Sequence, residues 1–298
     1  MICATSVALM SLAACGDSMP EYDATGTYEA TEVIVSAEGN GKLLSFIVDE
    51  GYALKAGETV GQIDTMQLFF SRRATLERAQ STVANMVDIQ AQIAATRQQI
   101  AKQEFERARF EKLLSMNAAR RKQLEDIESQ IEVLQRQLKA QQLTFQNNNK
   151  SLTMQETALL TQVAQLDDQL AKCRIASPID GVVLNKYAEE GELAAFGKAL
   201  FKVADTKHLF LRAYVTSDQL ASVRMGDQVT CYADFGEQQR TYEGTVTWIS
   251  DKAEFTPKGV MTQEERANLV YAVKIAVEND GYIKIGMYGE VKFAQAAE

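Results

Sequence analysis

The 298-residue sequence predicts a multi-domain α+β protein. A small β-sandwich is split in two, a long antiparallel coiled-coil hairpin is inserted between its halves, and a small β-barrel follows. Three observations carry this expectation. Gly41–Asp64 and Gly181–Asp205 are two versions of one β-rich text, with Gly41, Gly51 and Gly57 falling on Gly181, Gly191 and Gly197 at a constant offset of 140. Between Leu124 and Cys173 every seventh residue is apolar. After His208 the chain turns to short apolar β runs punctuated by glycine.

At the N-terminus, an apolar run from Val7 to Ala14 ends in Leu12-Ala13-Ala14-Cys15. Small residues before a cut are the mark of a secretory signal, here 1–14. The ending resembles a bacterial lipobox, which implies that Cys15 is lipidated and becomes the new N-terminus. No Lys or Arg precedes Ala13, a departure from that pattern. Residues 15–30 are then expected to be a linker from the lipid anchor. No other stretch is apolar over the roughly 18 residues that a membrane span needs, so the mature chain is expected to be soluble apart from its lipid.

The net charge of −9 argues against nucleic acid as a partner. Of four cysteines, Cys3 lies in the signal and Cys15 is the lipid site. Cys173 and Cys231 have no His or Cys neighbours at metal-ligand spacing; a disulfide between them is allowed in an oxidising envelope, but buried free thiols are the expectation.

The hairpin is assigned to 65–173. Leu124, Ile131, Leu138, Phe145, Leu152, Leu159, Leu166 and Cys173 hold the heptad in its second arm. The second seam begins with Ile127 and Leu134, then meets Gln141, Asn148, Gln155 and Gln162, with Val163 and Leu170 taking over late. A heptad held this long indicates a coiled coil. Met66–Ser115 has the same Ala-, Gln-, Glu- and Arg-rich composition, no Gly or Pro, and is expected to be one continuous arm. The tip falls at about 116–120, where Ser115 and Asn117 favour a cap and turn. Each arm of about 50 residues would be about 75 Å long at about 1.5 Å per residue. The Asn147-Asn148-Asn149 run is a candidate kink, but the unbroken heptad favours continuity.

The two β-rich texts occupy 31–64 and 174–206. Neither is long enough to bury a core alone. Packed together they form one sandwich, and the hairpin sits in the turn that joins them.

These halves resemble the biotinyl/lipoyl domain, whose second half opens with a phrase close to Ile175-Ala176-Ser177-Pro178-Ile179-Asp180-Gly181. In true carriers the joining turn bears a modified lysine. Gln67 stands there, and an amide cannot be acylated, so no cofactor is expected. A lipoyl-like domain split by a helical hairpin resembles the HlyD-type periplasmic adaptors, or membrane fusion proteins. The tail, 207–298, reads as barrel strands at Phe210–Val215, Gln228–Ala233, Gly244–Ile249, Val270–Val277 and Glu290–Phe293. Val223–Val229 resembles a phrase of adaptor barrels. Phe255–Arg266 followed by Val270–Lys274 resembles the branch that serves ABC-type exporters.

The resemblance implies a periplasmic lipoprotein of the inner membrane of a Gram-negative bacterium. It links an exporter, ABC-type in preference to a proton-driven RND pump, to a TolC-like outer-membrane duct. It also implies a homo-oligomer, a hexameric ring. The family's tip pattern, Arg-x3-Leu-x6-Ser, finds Arg109 and Leu113 in its first two places, while Arg120 stands where the serine would be. Arg120 and Arg121 would meet carboxylates on the duct.

No enzyme is expected. The lone His208 lies at a strand edge, no phosphate-binding glycine loop is present, and no metal or catalytic cluster is evident. The alternatives are a non-conducting tether lipoprotein, which has no need of Arg109 and Leu113 at that spacing, and a carrier subunit, which Gln67 opposes.

Overall fold

The computed structural model describes residues 22–235, 238–255 and 269–293. The signal, Cys15 and most of the Phe255–Arg266 phrase lie outside them. The first half of the sandwich supplies β1 (Ala24–Ser36), β2 (Gly41–Phe46), β3 (Ala53–Leu54) and β4 (Thr59–Ile63). The second supplies β5 (Arg174–Ala176), β6 (Gly181–Lys186), β7 (Leu193–Ala194) and the start of β8 (Ala199–Thr216).

The sequence repeat is a structural repeat in which the halves exchange strands. Gly41 pairs with Ala194 across β2 and β7, and its counterpart Gly181 pairs with Leu54 across β3 and β6. The same exchange runs through the turns. Gly51 N–H donates to the Val183 carbonyl and Gly191 N–H to the Leu43 carbonyl, both at 2.9 Å. Gly51, Gly57, Gly191 and Gly197 all have φ between 79° and 91°, a conformation that costs other residues energy, which is why glycine recurs at these turns. Each half thus completes the other's hydrogen bonding. Leu43, Val60, Ile63, Val183, Leu200 and Phe201 from both halves fill one core.

The barrel comprises the far part of β8, a short helix α4 (Ser217–Leu220), β9 (Gln228–Phe235), β10 (Gln238–Phe255), β11 (Leu269–Glu278) and β12 (Tyr288–Phe293). The expected linker 15–30 is corrected here from Ala24 onward. Ala24–Thr27 pair with β12, and Thr25–Ala30 pair with β8. Tyr28 is wholly buried in the barrel core. No loop separates sandwich from barrel, because β1 and β8 each run through both. A Cβ on Gly26 would lie 2.0 Å from the Arg212 carbonyl oxygen, so only glycine lets the two strands approach there.

The inserted segment forms three helices: α1 (Met66–Ala84), α2 (Ile89–Ser115) and α3 (Arg121–Lys172). Both α1 and α2 pack against α3. The direction is antiparallel, as Arg72 pairs with Asp167 and Thr96 with Gln141. The first arm is therefore not one continuous helix, a second correction. Asn85 ends α1, and the Asp88 carboxylate opens α2 by accepting from the backbone N–H groups of Gln90 and Ala91.

The second arm is continuous through Asn147–Asn149, but its seam shifts ahead of that run. Counted from the heptad row, the more shielded partner follows at three residues early (Ile131/Leu134) and at four from Phe145 on (Phe145/Asn149, Leu159/Val163, Leu166/Leu170), with Gln141 and Gln142 both half-buried at the changeover. Asn148, Gln155 and Gln162, read as seam residues, are exposed instead. An α-helix drifts about 20° per heptad against a strict seven-residue repeat, so about five heptads accumulate one residue's rotation. The one-residue step absorbs that drift.

Candidate docking tip of the helical hairpin

At the end of α2 the Ala118 N–H donates to the Leu113 carbonyl at 2.9 Å and the Asn117 N–H to the Leu114 carbonyl at 3.0 Å. Asn117 adopts φ +54°. This is a Schellman closure with asparagine in the left-handed position that glycine commonly takes. It satisfies the last carbonyls of α2 and reverses the chain within a few residues. Arg120 then caps α3 without its side chain, because guanidinium has no acceptor. Instead the Gln123 side chain reaches back to accept from the Arg120 N–H at 3.2 Å. The Arg120 guanidinium is thereby left to solvent.

Arg120 and Arg121 are both exposed, as is Arg109, nearly two turns below the α2 end. Arg109 lies 3.6 Å from the Glu106 carboxylate, a solvent-screened pair. Leu113 is half-buried, and its backbone carbonyl takes the turn's hydrogen bonds. The turn thus brings Arg109, Leu113, Arg120 and Arg121 to one end of the hairpin. From Arg107 to Lys122 the chain carries six cations and one carboxylate, in a protein of net charge −9. Met116, in the turn, is 73% exposed, and Phe105, whose apolar side chain suits the first arm's seam, is instead 71% exposed further down α2. The signal for Met116 was its place before an asparagine able to turn left-handed.

Other residues singled out do not converge. Gln67 is exposed in the first turn of α1, beside a cleft of about 900 Å³ lined also by Asp64, Asp168 and Lys172. His208 is exposed and pairs with Asp205 at 2.8 Å. Cys173 and Cys231 are buried free thiols, and burial pushes Cys231 up to about 12. Neither is a nucleophile under those conditions. Among the described residues no cluster of His, Cys, Asp or Glu is suited to a metal, and no helix is long and apolar enough to cross a membrane.

The family model described as RND MFP, barrel-sandwich hybrid domain, matches residues 31–206, more than half of the chain. The chain belongs to this family of membrane fusion proteins. Its members are adaptor proteins of efflux systems and work with transporters and outer-membrane channels. The UPF0194 membrane protein YE2891 of Yersinia enterocolitica is 27% identical over 300 residues, covering 92% of this chain and 91% of its own. MacA from Actinobacillus actinomycetemcomitans shares the fold with a TM-score of 0.53 at 22% identity, over 91% of this chain and 78% of that one. A MacA-MexA chimera carrying the Pseudomonas aeruginosa MexA α-hairpin superposes with a TM-score of 0.52 at 21% identity, over 91% and 80%.

Proposed function

We propose that this membrane fusion protein is the periplasmic adaptor of a tripartite export system, joining an inner-membrane transporter to a TolC-like outer-membrane duct. The observation that carries the duct-facing role is the tip, where a tight turn presents a concentrated positive charge and the exposed Met116 on an otherwise acidic protein. Six cations against one carboxylate favour an acidic mouth as the docking partner. Arg109 and Leu113 supply the family's spacing, Arg120 puts a charge where the family has a small hydroxyl, and Arg121 adds a second beside it. A lipid on Cys15 holds the chain at the inner membrane. Lateral packing into a hexameric ring turns the separate hairpins of a coiled-coil pair into a tube. The protein has no catalytic step of its own, and energy comes from the transporter.

An ABC-type transporter is the first reading of the partner, on the Phe255–Lys274 phrase. A proton-driven RND pump is the second, favoured by the RND label of the matching family. Photocrosslinking from position 118 in intact cells tests the tip. The proposal expects adducts with an outer-membrane channel, and their loss together with export when Arg120 and Arg121 are both changed to Glu. Unchanged adducts and export in that variant, with helix content intact, contradict the charge-based contact.

A further inference from the structure

The midpoint of the hairpin holds a feature that the adaptor role does not by itself require. Between α1 and α2 the first arm is not helical. The Asn85 and Met86 N–H groups close on the Thr82 and Val83 carbonyls, and the helical ladder resumes with Gln92 donating to Asp88. Val87, caught between them, gives both its backbone groups to one side chain. Its N–H donates to Asn149 Oδ1 at 3.1 Å, and its carbonyl accepts from Asn149 Nδ2 at 2.8 Å. Asn149 is a half-buried residue of α3, about two turns beyond the Gln141/Gln142 changeover in its seam. Thus the interruption of one arm and a two-hydrogen-bond side-chain clasp from the other coincide.

Two packed helices resist bending together because each has its own continuous ladder. Where one ladder stops, a single helix carries the bending load, and sharp bends in helical structure concentrate where the i→i−4 ladder is interrupted. The break here lacks Pro and Gly. It is built from cap-forming Asn85 and Asp88, so the joint is defined and not frayed.

We propose that Asn85–Asp88 and Asn149 form a clasped flexure joint, which lets the tip-bearing half of the hairpin swing relative to the sandwich-bearing half. Asn149 is a positioning residue that sets its resting angle. Closed, the clasp satisfies both groups of Val87 and holds α1 and α2 in line along α3. Released, it leaves α3 as the only continuous helix at this level. Such a joint lets the tip seat on a partner whose distance and tilt vary.

The test uses the full chain with genetically encoded spin-label amino acids at Lys55, on the sandwich, and Glu104, on α2 beyond the joint, leaving the cysteines untouched. The proposal expects Asn149→Leu to broaden the distance distribution at least twofold. Hydrogen exchange in residues 85–91 should rise at least tenfold, with exchange at 69–80 and 95–110 unchanged. The double variant Asn85→Ala/Asp88→Ala, which favours a through-going first arm, is expected to narrow the distribution. Circular dichroism confirms that helix content is kept in both. A distribution equally narrow in the wild type and both variants, with no rise in local exchange, overturns the joint. So does a rise in exchange spread evenly over the hairpin, which makes Asn149 a general packing residue.

Discussion

Leu43→Ala is the perturbation that best probes how this fold is tied together. Leu43 is wholly buried in the sandwich, in a core shared by residues from both sides of the hairpin. Its N–H and carbonyl also bond the second half, at Glu192 and Gly191. Truncating a buried leucine costs about 2–5 kcal/mol through lost transfer energy and a residual cavity. For a chain of this size each kcal/mol moves the melting temperature by about 2–4 °C, so the fall should be about 4–20 °C. The sandwich is not an isolated domain, since β1 and β8 run from it into the barrel. Trp248, the single tryptophan, lies in the barrel, far in sequence from Leu43. The expected result is that Trp248 fluorescence and far-UV circular dichroism both shift, and by the same amount. A Trp248 transition left in place while the dichroism transition moves would refute the coupling through continuous strands.

Asp88→Ala removes the side-chain cap of α2 and should cost about 1 kcal/mol in urea titrations followed by circular dichroism. Asn117→Val places a β-branched residue at φ +54° and should destabilise the hairpin turn by about 1–2 kcal/mol, whereas Asn117→Gly should be neutral or slightly stabilising. The Cys231 thiol, held up to about 12 by burial, titrates first in the unfolded chain, near about 8.5. Its contribution is therefore complete below that range and is lost as pH rises, at up to about 1.4 kcal/mol per pH unit. Cys231→Ala should flatten the fall in stability between about pH 8.5 and 9.5, below the tyrosine range.

Much of the β architecture was legible because its physics is local. Glycines at a fixed offset marked turns that need positive φ, and the matching of both halves announced a shared core. The strand exchange was not legible, since nothing in either half says whether it pairs with itself or with its copy. Residues 24–30 were misread for a related reason. Ala24, Gly26 and Tyr28 alternate with Thr25, Thr27 and Glu29, a half-buried strand pattern, but small residues after an anchor also suit a linker. The break at Asn85–Asp88 was not legible because the helix-forming composition of Met66–Ser115 runs across it without Gly or Pro. Asp88, three residues after Asn85 and ahead of a new apolar run, was the available signal. At the tip, the exposure of Arg120 depends on Gln123 supplying the cap, a relation that only geometry shows.

The central claim is that this membrane fusion protein couples an inner-membrane transporter to an outer-membrane channel. Affinity capture of the full-length protein from crosslinked cell envelopes, with mass-spectrometric identification, tests it most directly. The account predicts co-recovery of a transporter and a TolC-like channel, with an ABC permease supporting the first reading of the partner and an RND pump the second. Recovery of neither, with only peptidoglycan or neighbouring lipoproteins, would contradict it.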